Sequence, residues 1–235
     1  MTPAVLILRG SVHDRSFLNN RKLQRNVSRL IRGRRTFMRL KRPGLVLDVG
    51  CGPNARPANL NLDFQWRPGV DICCDITRAL PLDDCYVSGV FSEHCLEHIP
   101  FKAALAVLAE FHRVMQPDAY ARIIVPDFEV YVDQYIRFRN TGRASMPYAG
   151  DDSIGGIYTP MLSINRIFRG HGHQFIYDFA TLSGMLAQAG FIDIGRRRFG
   201  ESCDLRLLLD SPERAIESLY IEARKALPGP PMREG

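Results

Sequence analysis

The chain has 235 residues, 46% apolar and 24% charged, with a formal charge of +6 and six cysteines. That composition suits one packed domain, and no apolar run approaches the roughly 20 residues of a membrane helix. The cysteines (Cys51, Cys73, Cys74, Cys85, Cys95, Cys203) form no C-x-x-C pair and no zinc spacing, which argues against a disulfide scaffold and fits reduced residues of a cytoplasmic protein.

Residues 1–42 carry 12 Lys/Arg against one acid, Asp14, leaving 19 bases and 24 acids for the rest. The positive charge therefore belongs to an N-terminal arm. Leu23, Val27, Leu30 and Ile31 recur at helical spacing, so residues 16–40 are expected to be helical, with Gly33 ending or kinking the helix. Such an arm suits peripheral contact with an anionic membrane, nucleic acid binding or organelle targeting. The plainer reading is a solvated basic helix packed on a sheet edge. Leu45-Val46-Leu47 then reads as the end of a buried strand, and Asp48 and Gly50-Cys51-Gly52 follow it. An apolar strand entering a Gly-x-Gly turn is where an α/β sheet meets a nucleotide-like cofactor. Asn61-Leu62-Asp63 closes a short second strand with an acid. It comes too soon, with Asn54 where a third glycine would stand, for a dinucleotide fingerprint.

Residues 70–75 predict a third strand ending in Asp75, followed by Ile76. Residues 87–92 predict a fourth, running into Glu93-His94-Cys95-Leu96-Glu97-His98. A helix is expected over 100–115 from Pro100, a turn at Pro117-Asp118, and a fifth strand over 122–125 ending at Pro126-Asp127. An inserted segment, 128–172, comes next. It comprises an amphipathic helix over 128–139, a Gly/Ser/Asp/Pro-rich loop over 140–160, and a cluster of Arg166, Arg169, His171 and His173. Asp178 is a good N-cap for a helix over 181–189, with Gly190 at its end. Strands are expected over 191–199 and 218–223, and a disordered Pro/Gly tail over 227–235.

The ordered series of strand, acid and Gly-x-Gly, acids closing the next two strands, then Ser-Glu-His after the fourth, resembles the class I S-adenosylmethionine-dependent methyltransferases. More narrowly it is similar to the methyltransferase type 11-like proteins of bacterial surface-polysaccharide gene clusters. The stretches that carry it span residues 44–226. The resemblance implies an α/β fold with a Rossmann-like seven-stranded mixed sheet, helices on both faces and a reversed final hairpin. It implies S-adenosylmethionine as cofactor, with Asp48, Gly50, Cys51 and Gly52 cradling the methionine end. Asp63 would hold the ribose hydroxyls, Asp75 and Ile76 the adenine, and Ser92, Glu93 and His94 would line the site beneath the sulfonium. The chemistry agrees: ribose hydroxyls donate to a carboxylate, and a cationic sulfonium without phosphate suits acids without a P-loop lysine. Two departures, Pro117-Asp118-Ala119 for the usual Pro-Gly-Gly and Ser88 for the usual Asp, leave the cofactor positions untouched.

Methyl transfer needs alignment and exclusion of water, and a general base helps when the nucleophile is a hydroxyl. The catalytic candidates are His98, His173 and Asp127, with His94 and His171 nearby in sequence. Each has a structural alternative: His98 packing the helix begun at Pro100, His173 holding substrate or backbone, Asp127 capping the next helix. His171-Gly172-His173 has metal-ligand spacing without an evident third ligand, so no metal is expected. Arg166, Arg169, His171 and His173 suit an anionic substrate such as a uronate, carboxylate or phosphate, against the commoner reading of such a cluster as a solvated face. The expectation is a cytoplasmic O-methyltransferase of a small molecule, a sugar or a lipid-linked sugar. Its parts are an arm (1–42), a methyltransferase domain (43–226) in which the segment 128–172 caps the substrate, and a tail (227–235). One alternative is an RNA methyltransferase or RNA-binding protein using the arm, against which stands a net acidic domain without interleaved aromatics and bases. Another is an S-adenosylmethionine-binding protein without catalysis.

Overall fold

The computed structural model describes residues 21–32, 44–152 and 157–228. Helix α1 (Arg21–Ile31) is followed by β1 (Val46–Val49), β2 (Leu60–Asp63), β3 (Ile72–Cys73), β4 (Val87–Glu93), α2 (Phe101–Val114) and β5 (Met115–Pro126). Then come α3 (Phe128–Thr141), α4 (Pro160–Arg169), α5 (Phe179–Gln188), β6 (Phe191–Arg197) and β7 (Ser218–Lys225). The strands form one sheet in the order β3-β2-β1-β4-β5-β7-β6. β1 to β5 pair in parallel, and β7 alone is reversed, antiparallel to both β5 and β6. The loops at the carboxyl ends of the parallel strands therefore gather along one edge, where such sheets bind ligands.

One face of the sheet carries the main apolar core. Leu47, Val90, Ile123 and Ile221 meet Leu108 and Phe111 of α2 and Leu182 and Leu186 of α5. In α2 the buried residues Ala104, Leu108, Phe111 and Val114 fall at helical spacing, which fixes the face it turns inward. The Asp178 carboxylate accepts from Thr181 N at 2.8 Å and caps α5 as the sequence predicts.

The opposite face is different. Pairing registers align Asn61, Asp48, Phe91, Arg122 and Glu222 in one lateral row. The loop between β6 and β7 roofs this row. Arg122 is fully buried and donates to Asp210 at 2.7 and 2.6 Å, to Glu222 at 2.9 Å, and to the Glu201 carbonyl at 2.7 Å. Burial opposes its charge, and the two carboxylates more than offset that. α3 and α4 form a small lobe with its own core of Tyr131, Met146 and Ile167.

Three sequence expectations change. The turn at Pro117-Asp118 is absorbed into β5 as a bulge, with Asp118 at φ +66° and the register against β4 jumping from Val87–Met115 to Gly89–Tyr120. The stretch 160–169, expected as loop and charged cluster, is helix α4, begun by Pro160 and packed through Ile167. The arm is helical over Arg21–Ile31; residues 16–20 and 33–40 lie outside the described residues, as do 229–235 of the tail. α1 is fastened beside the segment after β2: Ser28 Oγ accepts from Trp66 N at 2.7 Å, and Arg32 donates to the Phe64 carbonyl at 2.8 Å while lying 3.5 Å from the Phe64 ring centroid. No described helix is long and apolar enough to cross a membrane.

Candidate active site

The Gly-x-Gly turn leaves β1 with Gly50 at φ +72° and Gly52 at φ +53°. A Cβ on Gly50 would stand 2.7 Å from Cys95 Sγ, so only glycine lets this turn pack against the loop after β4. Gly50 N and Cys51 N both donate to the Leu62 carbonyl, at 2.8 and 3.2 Å. Gly52 N donates to Asp63 Oδ2 at 2.9 Å, and Gln65 N donates to Asp63 Oδ1 at 2.7 Å. The acid closing β2 is thus held next to the turn, half-exposed, with lone pairs left for further donors.

A cavity of about 160 Å³ opens here, lined by Asp48, Gly50, Cys51, Gly52, Glu93 and His94 among others. Burial raises the Asp48 pKa and the Arg56 guanidinium, 2.7 Å away, opposes it. Burial, with the charges of Asp63 and Asp48, pushes the Cys51 thiol up to about 12, so it is a wall residue rather than a nucleophile. Glu93 accepts from Ser211 N at 2.8 Å and from the Ser211 hydroxyl at 2.5 Å, tying the β6–β7 loop to the end of β4. Of the other expected cofactor residues, Ser92 is buried within β4. Asp75 accepts from Thr77 N at 3.1 Å and Thr77 Oγ1 at 2.7 Å beyond β3, and Ile76 packs on the main core. These two lie on the same sheet edge as the cavity, past Asp63.

A second cavity, of about 700 Å³, adjoins the first. His94, Glu213 and Arg214 line both. Its remaining wall includes Glu97, His98, Tyr148, Arg166, His171, His173 and Glu217. His94, at φ +48°, lies 2.8 Å through Nε2 from Ser218 Oγ. His98 and His173 meet edge to face with centroids 4.9 Å apart. The backbone makes this meeting: Gln174 N and Phe175 N donate to the Glu97 carbonyl at 2.8 and 3.2 Å, and Gln174 Nε2 donates to the His98 carbonyl at 2.8 Å. Burial lowers the His173 pKa, so its ring is neutral near pH 7.

Asp127 stands apart from both walls. Its carboxylate caps α3, accepting from Glu129 N at 3.0 Å, and lies 3.8 Å from Arg196. Of the three catalytic candidates, His98 and His173 come together, and Asp127 does the capping job that sequence reading allowed it. Sequence reading did not single out Arg56, Ser211, Glu213, Arg214, Tyr148 or Glu217. Four of these lie on the β6–β7 loop, whose residues follow neither period.

Residues 54–123 match the family model described as a methyltransferase domain. No curated protein is similar in sequence to this chain. Among solved structures, a SAM-dependent methyltransferase from Archaeoglobus fulgidus is 20% identical with a TM-score of 0.48, over 90% of this chain and 100% of that one. A SAM-dependent methyltransferase from Thermotoga maritima is 15% identical with a TM-score of 0.49, over 79% of this chain and 84% of that one. A 1,6-didemethyltoxoflavin-N1-methyltransferase from Burkholderia thailandensis is 18% identical with a TM-score of 0.46, over 91% and 82%. Over residues 54–123 the chain is thus similar to a methyltransferase domain, and its sheet is the seven-stranded mixed sheet with one reversed strand that the sequence resemblance implies.

Proposed function

We propose that the protein transfers the methyl group of S-adenosylmethionine to a hydroxyl oxygen of a polar small molecule, a sugar or a lipid-linked sugar, held in the larger cavity. S-adenosylmethionine is the cofactor of this domain and supplies an activated methyl group on a sulfonium. The residues present fit it. Arg56 in the smaller cavity is a cation for a carboxylate, Asp48 and Glu93 are acceptors for an ammonium, and Asp63 retains lone pairs for vicinal hydroxyls. At Gly52 a Cβ would meet nothing closer than the Gly50 carbonyl oxygen at 3.9 Å, so the missing side chain leaves that wall open.

The observation that carries the reading is the shared wall. His94, Glu213 and Arg214 face both cavities, so an acceptor in the larger one lies next to the methionine-end pocket. The larger wall is lined by four histidines, two arginines, three glutamates and Tyr148 beside Ile167, a mix of hydrogen-bonding groups and apolar ring and stem surface that suits a hydroxyl-bearing acceptor. His98 and His173 form the part of that wall at which its hydroxyl is received. The sugar class rests on the resemblance.

Cell-extract metabolites incubated with the enzyme and methyl-labelled S-adenosylmethionine, then read by mass spectrometry, test it. The expected product is a polar small molecule bearing one labelled O-methyl group. Label confined to RNA, or on no acceptor at all, overturns the reading.

A further inference from the structure

Glu97 is fully buried, yet neither of its carboxylate oxygens has a hydrogen-bond partner. A buried carboxylate left so keeps its full desolvation penalty unless something compensates it. The nitrogens facing it are ring nitrogens, His94 Nδ1 at 3.4 Å and His98 Nε2 at 3.9 Å. One ligand atom each from Glu97, His98 and His173 lies within 4.8 Å of the others.

We propose that Glu97, His98 and His173 bind a divalent transition-metal ion at the wall of the larger cavity. Two imidazoles and one carboxylate on one side of an ion form the facial set that leaves other positions open, and here those positions face the cavity. The groups that orient these ligands are already in place. His173 Nδ1 lies 2.6 Å from the Ile167 carbonyl and must donate to it, which leaves the lone pair on Nε2. The backbone bonds from Gln174 and Phe175 to Glu97 fix His173 against His98, across 75 residues of chain. An ion about 2.1 Å from each ligand spans atoms up to roughly 4.2 Å apart. The half-exposed His98 ring is the one free to turn and close the difference.

The ion's role rests on the proposed acceptor reading. An acceptor hydroxyl bound to the ion loses its proton to water at the cavity mouth. An oxygen lone pair then forms the O–CH3 bond while the S–CH3 bonding pair stays on sulfur, leaving a neutral thioether and a neutral ether.

The test uses the full chain, stripped with EDTA, desalted, and dialysed against MnCl2 or ZnCl2. Metal content is read by mass spectrometry, and free Mn2+ by its paramagnetic resonance signal. One ion per chain is expected. His98→Ala and Glu97→Gln should each weaken retention by about tenfold or more, with S-adenosylmethionine affinity by calorimetry unchanged. His98 is half-exposed, so its variant keeps the measurement decisive if the Glu97 variant fails to fold. Retention of neither ion by the native chain, or equal retention by folded His98→Ala, overturns the proposal. A bound ion without any methylated hydroxyl product leaves the metal site standing and sinks the acceptor reading instead.

Discussion

At the scale of single residues, the site turns on carboxylates given different work by their surroundings. Asp48 is buried and spoken for by Arg56, whereas Asp63 is half-exposed and accepts only two backbone N–H groups. Asp63 is therefore the more open of the two acids, with the greater capacity left for hydroxyl donors. Asp63→Ala should weaken S-adenosylmethionine binding by tenfold or more, a loss of about 1.4 kcal/mol, with circular dichroism unchanged; equal affinity by calorimetry would remove Asp63 from the ribose. Asp178 shows the same residue type used for stability. Its bonds to Thr181 hold its pKa below the ordinary carboxylate value. The stabilisation is therefore complete above the unfolded pKa of about 3.9 and is lost as pH falls through the folded value. Asp178→Ala should cost about 1 kcal/mol at neutral pH. Asp178→Asn still caps and should cost little there, while losing that share of the acid dependence. Urea titrations at pH 7 and pH 3 read both, and identical pH profiles for native and Asn chains would refute the assignment.

At the scale of elements, what was legible in the sequence was whatever is stabilised locally. Strands β1, β2 and β4, helix α2, and the capped α5 announce themselves through period, acids and caps. The Gly-x-Gly turn and the Asp63 end of β2 were legible for the same reason. The β6–β7 loop was not, because its partners are remote: Arg122 reaches Asp210 across 88 residues, and Arg56 reaches the Leu209 carbonyl across 153. That loop brings Ser211 to the smaller cavity, Glu217 to the larger one, and Glu213 and Arg214 to both, so this part of the walls was hidden with it. α4 was missed because its register comes from packing Ile167 onto the Tyr131 lobe. Arg122→Met tests the remote tie. It leaves Asp210 buried without the cation it pairs with and Glu222 with Arg197 alone, 3.2 Å away, and chemical denaturation should show a loss of about 3–5 kcal/mol. A loss under 1 kcal/mol would mean the loop is held by other contacts.

At the scale of the whole molecule, the two cavities belong to differently stabilised parts. The smaller cavity is built on strands of the main core, while Tyr148, Arg166 and Ile167 of the larger cavity's wall come from the α3–α4 lobe with its small separate core. The lobe is tied back by Tyr131 Oη donating to Glu217 at 2.5 Å, by Tyr148 Oη donating to the Glu213 carbonyl, and by the backbone bond from Phe128 N to the Tyr177 carbonyl. Segments with small cores open locally well before the global fold does. Tyr131→Phe keeps the ring in the lobe core and removes the hydroxyl that Glu217 accepts. A hydrogen bond to a charged group contributes roughly 1.5–3 kcal/mol, so the opening equilibrium of the lobe should shift by about tenfold or more. Hydrogen exchange read by mass spectrometry should then quicken across α3 and α4, with β1, β4 and α2 as protected as before and S-adenosylmethionine affinity the same. Uniform quickening would mean that lobe and sheet unfold as one unit. Unchanged exchange in α4 would mean that the Tyr148 and backbone ties suffice. The expected result, a loosened wall on the larger cavity beside an intact smaller one, would make the lobe a unit that opens independently of the sheet.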